Sequence, residues 1–200
     1  NCTYSDPEVG HQVNTAYGCL VLGKASCEGY SRAFQMIMNK LNIDNRLVTG
    51  ESDGGDGTYI GHMWNYVVIE NGGYFIDLTW DDPKGSGEVL RHTYFNFTTA
   101  ELFKSYRNVG QDIPLCTNLT CNYFVKEGAY FNIGSGETFK SLVGACVRDA
   151  KNSGYECVEL KFSDSTVAEQ AKNTLFTEGA IYGIYESHGI IENVTGAQVY

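Results

Sequence analysis

No stretch of this 200-residue chain approaches the roughly 18 consecutive apolar residues needed to cross a bilayer, so no membrane insertion is expected. Positive charge is scarce. Fourteen Lys and Arg face 24 Asp and Glu, giving a net charge of −10 with no basic cluster. Nucleic acid is excluded as a partner, because its phosphates would be repelled, and an anionic membrane surface is disfavoured for the same reason. There is no glycine-rich phosphate loop, no dinucleotide fingerprint and no clustered His/Cys metal spacing, so neither cofactor nor metal is expected. Tryptophan occurs only at Trp64 and Trp80. No leader peptide is visible, and the opening Asn1-Cys2-Thr3-Tyr4 reads as a processed or truncated start.

Against these absences stand seven cysteines, many for a chain of this length. Setting aside Cys27 as a free nucleophile leaves enough for three disulfides, with Cys116–Cys121 and Cys146–Cys157 the readiest pairs and Cys2 and Cys19 left over. That count points to a secreted or cell-surface setting. The alternative is a set of reduced, buried thiols. Sequons at Asn1, Asn96, Asn118 and Asn193 add little.

Three segments carry chemistry, in this order: Ala25-Ser26-Cys27-Glu28-Gly29-Tyr30, then Gly61-His62-Met63-Trp64-Asn65, then Phe75-Ile76-Asp77-Leu78-Thr79-Trp80-Asp81-Asp82-Pro83. Ser26 reads as an N-cap, and Ala33, Phe34, Ile37, Met38 and Leu41 follow at helical spacing, which predicts a helix from about Cys27 to Lys40. A short strand is expected over Arg46–Thr49, and the Gly/Asp-rich run from Gly50 to Gly57 reads as a surface loop without the spacing of an EF-hand. His62–Glu70 and Tyr74–Leu78 read as strands joined by a turn at Asn71-Gly72. That turn pairs His62 with Asp81 and leaves Asp77 roughly 13 Å along the partner strand. A bulge or strong twist must then close the gap, or else Asp81 is the orienting acid.

Together the three segments resemble the transglutaminase-like superfamily, in its bacterial type, whose core is related to papain-like cysteine peptidases. The resemblance runs from about Tyr17 to Phe97. It implies an α+β core with the catalytic cysteine at a helix N-terminus and His and Asp on an antiparallel sheet. It also implies the roles: Cys27 as nucleophile, His62 as base, Asp77 as orienting acid. A helix N-terminus favours negative charge, and the thiolate is the nucleophilic form of cysteine. The imidazole can hold the proton, and the carboxylate fixes its tautomer. Attack on an amide carbonyl yields a thioester acyl-enzyme, which water or an amine then resolves. The same triad serves both a peptidase or amidase and a transglutaminase.

Trp64, Trp80 and Asn65 are expected to support the triad or grip substrate. Animal transglutaminases place a Trp upstream of the nucleophile, and none precedes Cys27 here, which leaves a Tyr or a Gln, Gln12 for one, as candidate for that role. The sequence predicts a transglutaminase-like catalytic domain over residues 1–124 and a small α/β subdomain over 125–200. In the latter, strands are expected at Ala129–Ile133, Tyr155–Phe162 and Ala180–Tyr185, and helices at Glu137–Asn152 and Val167–Phe176. His188 stands alone there and reads as structural. The function expected is cysteine-dependent acyl transfer on a protein or peptide substrate. The alternative is a non-catalytic binding or structural module that retains the fold, or a form in which Cys27 is bridged.

Overall fold

A computed structural model of the chain describes residues 2–53, 57–82, 91–155, 157–183 and 198–199. It divides into two compact units, Asn1–Asn122 and Tyr123–Tyr200.

The first unit opens with β1 (Thr3–Tyr4), 3₁₀-helical turns at Pro7–Val9 and His11–Asn14, α1 (Ala16–Leu20) and β2 (Lys24–Ala25), which pairs parallel to β1. Then come α2 (Cys27–Lys40), β3 (Asn45–Asp53), β4 (Tyr59–Ile69), β5 (Gly72–Ile76), α3 (Leu78–Asp81), β6 (Phe95–Phe97), α4 (Thr99–Ser105) and β7 (Tyr106–Arg107). The antiparallel sheet has the order β6-β5-β4-β3-β7. The α+β core expected from the sequence is therefore present as a mixed α/β unit with an antiparallel sheet.

Strand periodicity sends alternate residues to opposite faces. Val67, Tyr74 and Ile76 meet Phe34 of α2 and Cys121 on one face. Tyr66, Phe75 and Phe97 meet Leu102 of α4, Tyr106, Trp64 and Cys116 on the other. α2 ends where Asn42 turns left-handed (φ 55°) and the Ile43 N–H donates to the Met38 carbonyl, with Ile43 packing back beside Met38.

The hairpin turn lies one residue earlier than expected. Glu70 and Asn71 both have positive φ (50° and 62°), and Ile69 pairs with Gly72. Gly72 and Gly73 instead serve packing: a Cβ at Gly73 would lie 2.6 Å from the Tyr66 hydroxyl. The expected surface loop is also corrected. Residues 50–53 continue β3, with Gly50 opposite His62, because a glycine is what that spot admits: a Cβ would lie 2.9 Å from the Trp64 ring. Residues 54–56, and the loop expected at 85–87, lie outside the described residues.

The segment before Cys27 wraps the first turn of α2. A Cβ at Gly29 would lie 2.2 Å from the Val13 carbonyl oxygen. Gly29→Ala is therefore expected to destabilise the protein by about 1–3 kcal/mol through forced backbone displacement, measured as a lowered denaturation midpoint at unchanged m-value.

In the second unit, α5 (Tyr123–Lys126), β8 (Tyr130–Phe131), α6 (Gly136–Asn152), β9 (Leu160–Phe162), α7 (Ser165–Lys172) and β10 (Gln198–Val199) surround a core of Phe124, Phe131, Phe139, Val143, Phe162 and Leu175. β9 is central, parallel to β8 and antiparallel to β10. The strand expected at Ala180–Tyr185 is instead a 3₁₀ turn over Ala180–Gly183. Gly179 at φ 74° starts it and its carbonyl accepts the Tyr182 N–H. Residues 184–185 and His188 lie outside the described residues.

All seven cysteines are free thiols. The expected Cys116–Cys121 bridge is absent because the two sulfurs belong to the two faces of the sheet. Cys116 Sγ donates to the Pro114 carbonyl and Cys121 Sγ to Glu70. Cys146 Sγ donates to the Gly128 carbonyl, while Cys157 is exposed. No described helix is long and apolar enough to cross a membrane.

Candidate active site

Cys27 is the first residue of α2, where backbone N–H groups lack intrahelical acceptors. Ser26 holds the N-cap position as expected, but its hydroxyl does not cap the helix. It donates to Asn14 Oδ1 at 2.5 Å. Two crossbars tie α2 to the strand that carries His62. Ser31 Oγ donates to the Met63 carbonyl (2.9 Å), and Asn65 Nδ2 donates to the Ser31 carbonyl (3.1 Å). Asn65 is thus a buried brace between the helix of Cys27 and the strand of His62.

Extending the β4–β5 register sets Trp64 opposite Asp77, so Asp77 is a diagonal neighbour of His62, at a reach of about 7–8 Å for backbone positions. No bulge is needed between these two strands. Asp77 follows β5, its N–H donating to the Tyr94 carbonyl (2.9 Å), and it N-caps α3. His62 Nε2 lies 2.5 Å from Asp77 Oδ2. The other carboxylate oxygen, Oδ1, accepts the N–H groups of Thr79 (3.0 Å) and Trp80 (3.3 Å). Asp81, the alternative acid, instead accepts the Tyr94 N–H (2.8 Å), and Asp82 accepts the Tyr30 hydroxyl (2.6 Å).

His62 is buried, and burial alone pulls an imidazole pKa down. Here the Asp77 charge and hydrogen bond, together with a hydrogen bond and charge interaction with Cys27, outweigh it and raise His62 to about 10. The Asp77 carboxylate thus favours the protonated form of the ring. With Nε2 given to Asp77, Nδ1 is the nitrogen that remains for the thiol.

Aromatic rings enclose the imidazole. Trp64 stacks 6.1 Å away, Trp80 lies tilted at 5.5 Å, and Trp80 Nε1 donates to the buried Ser52 hydroxyl (3.2 Å). The structure thus brings Cys27, His62, Asp77, Trp64, Trp80 and Asn65 to one region. Gln12 is exposed in its turn, and Asn14 from the same turn makes the contact to the start of α2. Sequence reasoning did not find Ser52, Asn14 or Tyr106. The Tyr106 hydroxyl donates to Asp77 Oδ2 at 2.7 Å. One tyrosine among 14, reached through a separate edge strand, carries no spacing signal. Among the described residues, no group of three or more His, Cys, Asp or Glu side chains is arranged to hold a metal ion.

No curated protein matches the chain. A solved structure described as the crystal structure of a TGase is similar at 18% identity, covering 44% of this chain and 26% of that one, with a TM-score of 0.33. This chain thus spans about a quarter of that protein's length. The family model of the transglutaminase-like superfamily matches residues 1–77, the segment that runs from the N-terminus through Cys27 and His62 to Asp77. That superfamily is generally enzymatic, with cysteine-based acyl transfer as its chemistry, and residues 1–77 bear out the resemblance to it read from the three motifs.

Proposed function

We propose that the protein catalyses cysteine-dependent acyl transfer on protein or peptide amides through a thioester. The observation that carries this reading is the buried His62, whose Nε2 is 2.5 Å from Asp77 Oδ2, on a strand braced to the helix that Cys27 begins. Cys27 Sγ forms the C–S bond at the amide carbonyl. The oxyanion is met by the Cys27 N–H at the helix start. The C–N bond then breaks as the His62 Nδ1 proton passes to the leaving amine. Water or a second amine attacks the thioester, its proton passes to His62, the C–S bond breaks, and the Cys27 thiolate is released beside the imidazolium. Trp64 and Trp80 shield the imidazole from bulk water. The secreted or cell-surface setting stays within the proposal and rests on the cysteine count, since the sequons add little. Among the latter, Asn96 is buried with its amide donating to the Cys121 carbonyl (2.8 Å), so it is no acceptor for a glycan in the folded protein.

The test is iodoacetamide labelling without reductant, mapped by peptide mass spectrometry. Cys27 is expected to be modified first at neutral pH. Burial raises the Cys116 and Cys146 thiols, and burial with a hydrogen bond to Cys2 pushes Cys19 up to about 12. Slow labelling of Cys27 beside fast labelling of another cysteine would remove the nucleophile from the proposal. Parallel amine-incorporation and hydrolysis assays then separate transamidation from proteolysis.

A further inference from the structure

Asp77 Oδ2 takes two partners, His62 Nε2 at 2.5 Å and the Tyr106 hydroxyl at 2.7 Å, and Oδ1 takes two backbone N–H groups. Every acceptor direction of this buried carboxylate is thereby occupied. Tyr106 comes from β7, on the far side of β3 from the strand of His62, and is itself buried. Its ring is fixed by Trp64 (4.7 Å), Phe97 (5.8 Å) and Tyr94 (6.1 Å). Burial, then the Asp77 charge, holds its phenol pKa well above the ordinary value, so the hydroxyl is a permanent donor.

We propose that Tyr106 is a positioning residue for the acyl-transfer chemistry, which holds Asp77 Oδ2 in place as a charged acceptor so that the shared proton stays on His62. A carboxylate that already receives a phenol hydrogen bond is a weaker base. It steers the imidazolium without taking its proton, and Nδ1 remains charged to protonate the leaving amine. The inference rests on the function proposed above, but its first readout does not.

Tyr106→Phe keeps the ring and deletes the hydroxyl. Deprotonating His62 then leaves an Asp77 charge with less compensation, so the His62 midpoint is expected to rise by about half a unit or more, followed by NMR of the imidazole nitrogens. In turnover, kcat is expected to fall about tenfold or more with KM within about twofold. Tyr74→Phe is the control. It deletes another buried hydroxyl, which accepts the Cys121 N–H at 3.2 Å on the other face of the sheet, and neither His62 nor kcat should move. An unshifted His62 in Tyr106→Phe, or equal shifts in both variants, overturns the proposal. Should Tyr106→Phe not fold, the unaltered protein carries the test. The Tyr106 hydroxyl proton resonance must follow the His62 titration, and its indifference overturns the assignment. A protein in which His62 shifts as expected but Cys27 is unreactive would sink the acyl-transfer function and leave the Tyr106–Asp77–His62 chain standing.

Discussion

Replacing Cys27 by alanine is expected to abolish amide turnover, by about 10⁴-fold or more, because the sulfur that forms the thioester in the proposed reaction is removed. The fold should tolerate the change. Cys27 is half-buried at the first position of α2, and alanine is an excellent helix former, so stability should move by no more than about 1 kcal/mol. The six other thiols give this prediction its edge. Cys19, Cys116 and Cys146 have raised thiol pKa values, for which burial is the first cause. A Cys27→Ala protein that is folded by circular dichroism and still turns over an amide would place the nucleophile elsewhere. Cys27→Ser, which keeps the shape and replaces sulfur with a far less acidic hydroxyl, should be almost as inactive.

Asp77→Ala is expected to cost about 3–5 kcal/mol of stability, because it strips a buried charge from its partner. His62, the Tyr106 hydroxyl and the N–H groups of Thr79 and Trp80 all lose their acceptor. The pH dependence of stability should change sign as well. In the unaltered protein His62 is raised from 6.5 to about 10. Its contribution is present in full below the unfolded value near 6.5, and it is lost as pH climbs through 10. Without Asp77, burial dominates and pulls His62 below 6.5. The folded state then prefers the neutral ring, and stability is lost on acidification instead. Urea midpoints from pH 5 to pH 10 measure both slopes. Parallel slopes in the two proteins would mean that Asp77 does not set the charge of His62. Turnover in the unaltered protein should also decline as pH rises through the His62 midpoint, since a neutral ring has no proton for the leaving amine.

Much of this site was legible in the sequence because its three main residues sit in local motifs. Helical spacing after Ser26 placed Cys27 at a helix start, and the β-branched and aromatic run after His62 marked a strand. The register was misread because Asn71-Gly72 is a strong turn signal. Asn71 does enter the left-handed region, but with Glu70 rather than Gly72, and the glycines answer to the Tyr66 and Tyr74 rings. That single shift brings Asp77 to the diagonal of His62 instead of four residues away. Ser52 was hidden in a Gly/Asp-rich run that carries no strand periodicity, yet pairing with β4 makes it strand. Tyr106 and Asn14 were out of reach because their roles come from tertiary contact between elements distant in sequence. The cysteine pairing failed for a related reason. Cys116 and Cys121 are close along the chain, but the sheet lies between their sulfurs. In the second unit, a run of apolar and aromatic residues at Ala180–Tyr185 suggested a strand, but the left-handed Gly179 begins a tight turn there instead.

The two crossbars between α2 and β4 bear on how such a site can change over evolutionary time. Ser31 and Asn65 join the helix of the nucleophile directly to the strand of the base, without passing through the loops that flank them. The separation of sulfur and imidazole is therefore inherited from two buried polar side chains. If Cys27 and His62 react as proposed, changes of length in the flanking loops leave their spacing intact.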